Sequence, residues 1–180
     1  LKLSPSAGEP SDAELLARSR SGEPRAFAEL VSRHGRYLYG IARSLLRDAH
    51  DAEDAVQETL AAASTAAFSG QSQVRTWMVA ILVRQAGLVR RKRAGWLRRL
   101  TARPPEAASG SEESGVDARL DLADVLEKLD PDLRDVIVLR ELEQMSYQQI
   151  ADVLGVPRGT VESRLHRARA TLRGLLKPVE

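Results

Sequence analysis

The 180-residue chain contains no cysteine. That excludes disulfides, thiolate zinc sites and a cysteine nucleophile, and it agrees with a reducing, cytoplasmic setting. Aromatic residues are scarce, at 4 % against 43 % for all hydrophobic residues, so the core must be built from Leu, Val, Ile and Ala. No stretch approaches the roughly 18 uninterrupted apolar residues of a membrane span. The segment from Leu1 to Ser11 is polar and lacks the apolar centre of a signal peptide. No run alternates apolar and polar residues as a half-buried strand does, and Gly and Pro fall between longer stretches of helical period. The expected fold class is therefore all-α.

Catalytic signatures are missing as well. There is no nucleophile–base pair, no phosphate-cradling glycine loop and no metal-ligand cluster, so no enzyme activity, cofactor, metal or small-molecule substrate is expected. His34 lies on an apolar stripe with no second metal-ligand type at i+3 or i+4, and it is expected to pack rather than to ligate.

Charge is abundant but unevenly spread. The net charge of +2 hides a division into blocks. Arg84, Arg90, Arg91, Lys92, Arg93, Arg98, Arg99 and Arg103 follow one another with no acid between them. Acids dominate from Glu106 to Asp135, and bases return from Arg158 to Arg173 with Glu162 as the lone acid. Two basic blocks around an acidic middle suggest two contacts with a polyanion; solvated helix faces are the plainer reading of either block alone.

Periodicity divides the chain further. Ser11 and Glu14 form a capping box ahead of a short helix that Gly22 stops, and Pro24 suits the first turn of a longer one. Phe27, Leu30, Val31, His34, Leu38, Ile41 and Leu45 give that helix a single apolar stripe. A helix around Asp51 to Ala63 is expected to bury Ala52, Val56 and Leu60, with Asp51, Asp54 and Glu58 on the neighbouring face. The stretch from Ala66 to Ser72 reads as a loop. A third long helix is expected from about Val74 to Arg93. Residues 94–116 contain a Pro-, Ser-, Gly- and Glu-rich run that buries too little apolar surface to offset its ordering cost, and they read as a flexible linker. Two small helical domains are thus expected, 1–93 and 117–180.

The sharpest local signal lies in the second. Ser146 caps a short helix whose inner face is Ile150, Ala151 and Leu154; Gly155 supplies a positive-φ stop; Val156 fills the space beneath the turn. Val161 and Leu165, four apart, seat a second helix on the first. This is a helix-turn-helix, and it leaves Arg158, Thr160, Ser163, Arg164 and Arg167 directed outward or along the rim. A recognition helix puts its N-terminal half in the major groove, where arginine can bond guanine bidentately.

Leu126-Glu-Lys-Leu-Asp-Pro, Arg134-Asp-Val-Ile-Val-Leu-Arg, Ser146-Tyr-Gln-Gln-Ile-Ala and Gly159-Thr-Val-Glu-Ser-Arg-Leu-His-Arg-Ala together resemble region four of the sigma-70 family, particularly its extracytoplasmic-function (ECF) group. Phe27-Ala-Glu-Leu-Val, Asp51-Ala-Glu-Asp-Ala-Val-Gln-Glu-Thr-Leu, Phe68-Ser-Gly and Thr76-Trp-Met-Val-Ala-Ile resemble region two. The resemblance runs from about Asp12 to Leu176. It implies an alternative sigma factor that binds core RNA polymerase and promoter DNA, usually restrained by an anti-sigma factor.

It further implies that Asp51, Asp54, Gln57 and Glu58 meet the clamp helices of polymerase. Phe68, Ser69, Arg75, Trp77, Arg84, Gln85, Leu88 and Arg91 would hold the melted element near minus ten, with Arg75 expected on or near the face of Arg84. Arg158, Thr160, Ser163, Arg164 and Arg167 would read duplex about 35 bases upstream of the start. The chain departs from the family pattern at Gln85, where Asn is usual, and at Val89, where Asp is common. Gln148-Gln149 replaces a frequent acid, and Glu162 stands where Lys is frequent. The alternatives are a helix-turn-helix repressor or effector that never binds polymerase, and a protein-interaction adaptor. Beyond Leu176 no appended regulatory domain is expected.

Overall fold

The computed structural model describes residues 9–46, 48–100 and 122–176, without the side chains of 97–100 and 122–124. Most of the stretch read as a linker lies outside these residues.

Helix α1, Asp12–Arg20, starts from the expected capping box, Ser11 with Glu14, and the chain turns at Gly22 with φ +91°. Helix α2, Pro24–Leu45, has Pro at its first position and buries Ala26, Leu30, Leu38, Ile41, Ala42 and Leu45 along one stripe. Helix α3, Ala49–Thr65, is capped by Asp48, whose carboxylate accepts from the amides of His50 and Asp51 at 2.9 and 3.1 Å. Helix α4 spans Val74–Leu100. It runs past Arg93 because residues 94–100 contain no proline and mostly good helix formers.

Helix α3 corrects the expected buried line. Ala52, Ala55, Thr59 and Ala63 face inward, whereas Val56 and Leu60 are half-buried against the core. Small side chains let two helix axes approach closely, which sets how α3 lies on α4. The Thr59 hydroxyl is satisfied within its own helix by the Ala55 carbonyl at 2.7 Å. Ala55→Leu should overpack this seam and cost about 1–3 kcal/mol. Urea unfolding should show a lower midpoint; an unchanged midpoint would mean that the seam is loose.

The second unit begins with α5, Leu122–Glu127, and α6, Pro131–Ile137, the latter capped by Asp130. A five-residue π-helical turn, Val138–Leu142, continues α6 and ends at Glu143 and at Gln144, whose φ is +55°. Helix α7, Tyr147–Leu154, and helix α8, Arg158–Leu175, form the helix-turn-helix, with Gly155 between them at φ +65°. Val161, Leu165 and Ala168 of α8 are buried against Ile150 and Ala151 of α7 and against α6. All nine elements are helical; the described residues contain no strand.

The two units pack against each other. Helix α2 meets α5 and α6, and α4 meets α7.

Candidate nucleic-acid and polymerase interface

The outer surface of α8 carries three of the five residues expected to read upstream DNA: Arg158, Ser163 and Arg167 are exposed, and Thr160 is half-buried. Arg158 spans one turn to Glu162 at 3.0 Å. Arg164 behaves differently. Its side chain is 18 % exposed and is paired with Asp132 of α6. The capping box on α7 joins Ser146 to Gln149, whose amide oxygen accepts from the Ser146 backbone at 2.8 Å. Gln149 therefore does locally what a Glu at that position would do.

On α4, Arg84, Leu88 and Arg91 are exposed at successive turns, with Leu88 at 52 %. Gln85 is half-buried beside them. Arg75 does not share this face, which corrects the expected grouping. Nine residues before Arg84, it is about half a turn round the helix axis, and its guanidinium lies 4.9 Å from the centre of the Tyr37 ring on α2. Phe68 and Trp77 are brought together, ring centres 5.3 Å apart and tilted by 59°, with the Arg20 guanidinium 6.0 Å from the indole. Ser69 is exposed next to that pair.

The acidic face of α3 is mostly open. Asp54, Gln57 and Glu58 are exposed. Asp51 is partly spent, because Arg93 of α4 donates to it at 2.6 Å. Asp48 beside it has its carboxyl held below the usual range, first by the Asp51 amide that it caps. His34 Nε2 lies 2.7 Å from an Asp12 carboxylate oxygen, a packed histidine with a local partner. The described residues hold no His/Asp/Glu group able to ligate a metal, and no helix among them is long and apolar enough to cross a membrane.

Polar groups between the two units were invisible to sequence reasoning. Arg134, 4 % exposed, donates to the carbonyls of Leu126, Glu127 and Leu129 in its own unit and to that of Leu45 at the end of α2. Glu143, 7 % exposed, accepts from the Tyr37 hydroxyl at 2.5 Å and from Thr76 Oγ1 at 3.0 Å. Burial, then the bond to Glu143, push the Tyr37 hydroxyl up to about 12. Arg90 of α4 donates to Asp135 of α6 at 2.5 Å. Burial raises the Asp135 carboxyl above the usual range, against the opposing pull of Arg90. Arg84 donates to the carbonyls of Val153 and Asp152, at 2.8 and 3.2 Å, at the C-terminal end of α7.

This geometry can be set beside known proteins. Residues 30–97 match the family model "Sigma-70 region 2", and residues 119–172 match "Sigma-70, region 4". The RNA polymerase sigma factor CnrH of Cupriavidus metallidurans is 39 % identical, over 93 % of this chain and 96 % of its own length. This chain belongs to the ECF group of the sigma-70 family. The ECF sigma factor SigM of Mycobacterium tuberculosis is 35 % identical, over 93 % of this chain and 86 % of its own.

Among solved structures, CnrH in complex with the cytosolic domain of CnrY covers 93 % of this chain and 97 % of its own, at 35 % identity and TM-score 0.61. The sigma factor RpoE of Bartonella quintana, in complex with the anti-sigma factor NepR, covers 86 % and 98 %, at 30 % identity and TM-score 0.64. The sigma factor acts by directing RNA polymerase to promoters. A stand-alone repressor is set aside by the region 2 match, which a lone helix-turn-helix protein would not give.

Proposed function

We propose that this ECF sigma factor divides promoter recognition between its two units and supplies no catalytic group, the polymerase doing the chemistry in the cytoplasm. Asp54, Gln57 and Glu58, with Asp51 at the edge, form the anionic face that docks on basic clamp helices of core polymerase. Arg84, Gln85, Leu88 and Arg91 of α4 hold the melted strand near minus ten. The Phe68–Trp77 pair, with Ser69, offers an aromatic corner for an unstacked base, as single-strand binders commonly do. Arg158, Thr160, Ser163, Arg164 and Arg167 read the upstream duplex. Arg75 has no part in the strand-holding face, because its guanidinium is stacked on Tyr37.

The observation that carries this reading is the row of Arg84, Leu88 and Arg91, exposed on successive turns of α4. A large apolar side chain between two guanidinium groups suits a base and its flanking phosphates better than it suits water. Run-off transcription with core polymerase on a randomised promoter pool tests the reading. A selected pair of elements about 25 bases apart is expected; no stimulation of core enzyme on any template would end it.

Arg91→Ala should reduce open-complex formation about tenfold, the loss of one charge-assisted contact. Its binding to upstream duplex should be unchanged. Permanganate footprinting of the melted region and a duplex-only shift assay separate the two readouts, and equal defects in both would contradict the division. The Bartonella neighbour is bound to an anti-sigma factor; this likeness supports a similar restraining partner for the present chain.

A further inference from the structure

Helix α1 ends beside the loop that carries the aromatic corner. Leu15 and Leu16 are buried, and α1 packs on α2 and α3. Its last residue, Arg20, thus stands on a fixed backbone with an exposed side chain. That side chain makes two contacts with residues far away in sequence. Its Nη2 donates to the carbonyl of Ala66, the residue that ends α3 and opens the loop of residues 66–73. Its guanidinium lies 6.0 Å from the centre of the Trp77 ring on α4, just past the end of the same loop. One side chain of α1 therefore touches both ends of the loop.

The loop needs such a tie. Ala67, Ser69, Gly70 and Gln71 are exposed, and Gly70 turns at φ +74°. Phe68 is the loop's single large apolar side chain, and the Trp77 ring is its aromatic neighbour. A pair of rings captures an unstacked base well only when it is already set as the strand arrives, because ordering a loop on binding subtracts from affinity. A cation over an indole and a charge-assisted bond to a carbonyl both hold the rings in place beforehand. Arg20 has a plainer role as well, since a cation at the end of α1 favours the helix dipole. That role demands no particular direction of the side chain. Arg18, in the same turn, fills it while paired with Glu23.

We propose that Arg20 is a positioning residue for minus-ten recognition: from α1 it fixes the Phe68–Trp77 corner in the geometry that receives an unstacked base. The inference rests on the base-capturing role proposed for that corner. Arginine suits the task and lysine does not. A planar guanidinium donates at its edge and meets a ring with its face, whereas a compact ammonium has no such division.

The test has a free-chain arm and a holoenzyme arm. Trp96→Phe leaves Trp77 alone of the chain's two tryptophans. On that background Arg20→Ala should make Trp77 more readily quenched by acrylamide, while circular dichroism shows that the variant is folded. The second arm uses holoenzyme assembled on core polymerase, with the promoter selected from the randomised pool. There Arg20→Ala should lower open-complex formation about five- to tenfold, read by permanganate footprinting. Competition among single-position promoter variants should show preference flattened at one minus-ten position and unchanged at the upstream element. Arg20→Lys keeps a long cationic side chain on α1, should fold as the parent does, and should recover little of the loss. Arg18→Ala should behave as the parent.

Parental quenching or parental minus-ten selectivity in folded Arg20→Ala overturns the proposal. So does full activity in Arg20→Lys, which would assign the effect to charge alone. So does an equal loss in Arg18→Ala. A fault in the base-capture reading shows elsewhere: Phe68→Ala would then keep parental minus-ten selectivity. A fault in the role of Arg20 leaves Phe68→Ala defective and Arg20→Ala normal.

Discussion

Arg134→Ala will lower the stability of the C-terminal unit by about 3–5 kcal/mol, since it removes a buried charged donor together with every hydrogen bond that donor makes. The guanidinium gathers the carbonyls of Leu126, Glu127 and Leu129, where α5 ends and the chain turns into α6. Carbonyls at a helix terminus need donors once they are buried, and that of Leu126 also accepts from the Leu129 amide at 3.1 Å. Water can replace part of the loss, because Arg134 also lines an open cavity of about 490 Å³ with Asp48, Asp51 and Arg93. For a chain of this size each kcal/mol corresponds to about 2–4 °C in Tm, so a drop of about 6–20 °C is expected.

Arg134→Lys should rescue little of that loss. Lysine offers a compact ammonium on a flexible stem, whereas the carbonyls of Leu126, Leu129 and Leu45 surround a planar fork. Thermal melts followed by circular dichroism decide the matter; a lysine variant that melts with the parent would show that charge alone suffices. The bond to Leu45 reaches α2 of the other unit, whereas the remaining three lie within the C-terminal unit.

Arg164→Ala carries the second large effect. If its guanidinium bonds a base edge bidentately, truncation should cost about 1–3 kcal/mol at the upstream element, or about 5- to 150-fold in affinity. The loss should relax preference at one base position. It would instead be uniform across sequences if Arg164 touched only phosphate. Competition binding on single-position variants of the selected element distinguishes the two.

Asp132 makes this case more interesting than Arg158 or Arg167. In the free protein it already holds Arg164, and Arg164 must leave it to reach DNA. Asp132→Ala should therefore loosen the arginine and raise non-specific affinity while blunting discrimination. Tightened specificity in that variant would show that Asp132 orients Arg164 rather than competing for it.

Features decided within four residues of sequence were legible without a fold. The capping box at Ser11–Glu14 and the cap at Ser146 are local pairs of side chain and amide, and the αL turn at Gly155 needs only the absence of a Cβ. The apolar stripe of α2 and the seating of α8 through Val161 and Leu165 followed from the 3.6-residue period alone. Periodicity was less reliable for α3, where it favoured the larger Val56 and Leu60 over the small residues that the close helix seam demands.

The remainder was settled only when distant elements met. Tyr37 and Glu143 are 106 positions apart, and Arg90 and Asp135 are 45 apart, so no local pattern marks either pair. In the sequence Arg134, Asp135 and Glu143 look like surface charges, the usual fate of such residues. Burial gave them fixed partners, because a charge removed from water must find one. Arg75 was drawn onto Tyr37 by the way α4 crosses α2. Local chemistry thus determined the helices; the packing of one unit on the other determined the partners of Arg90, Arg134, Asp135 and Glu143, because a buried charge must be paired.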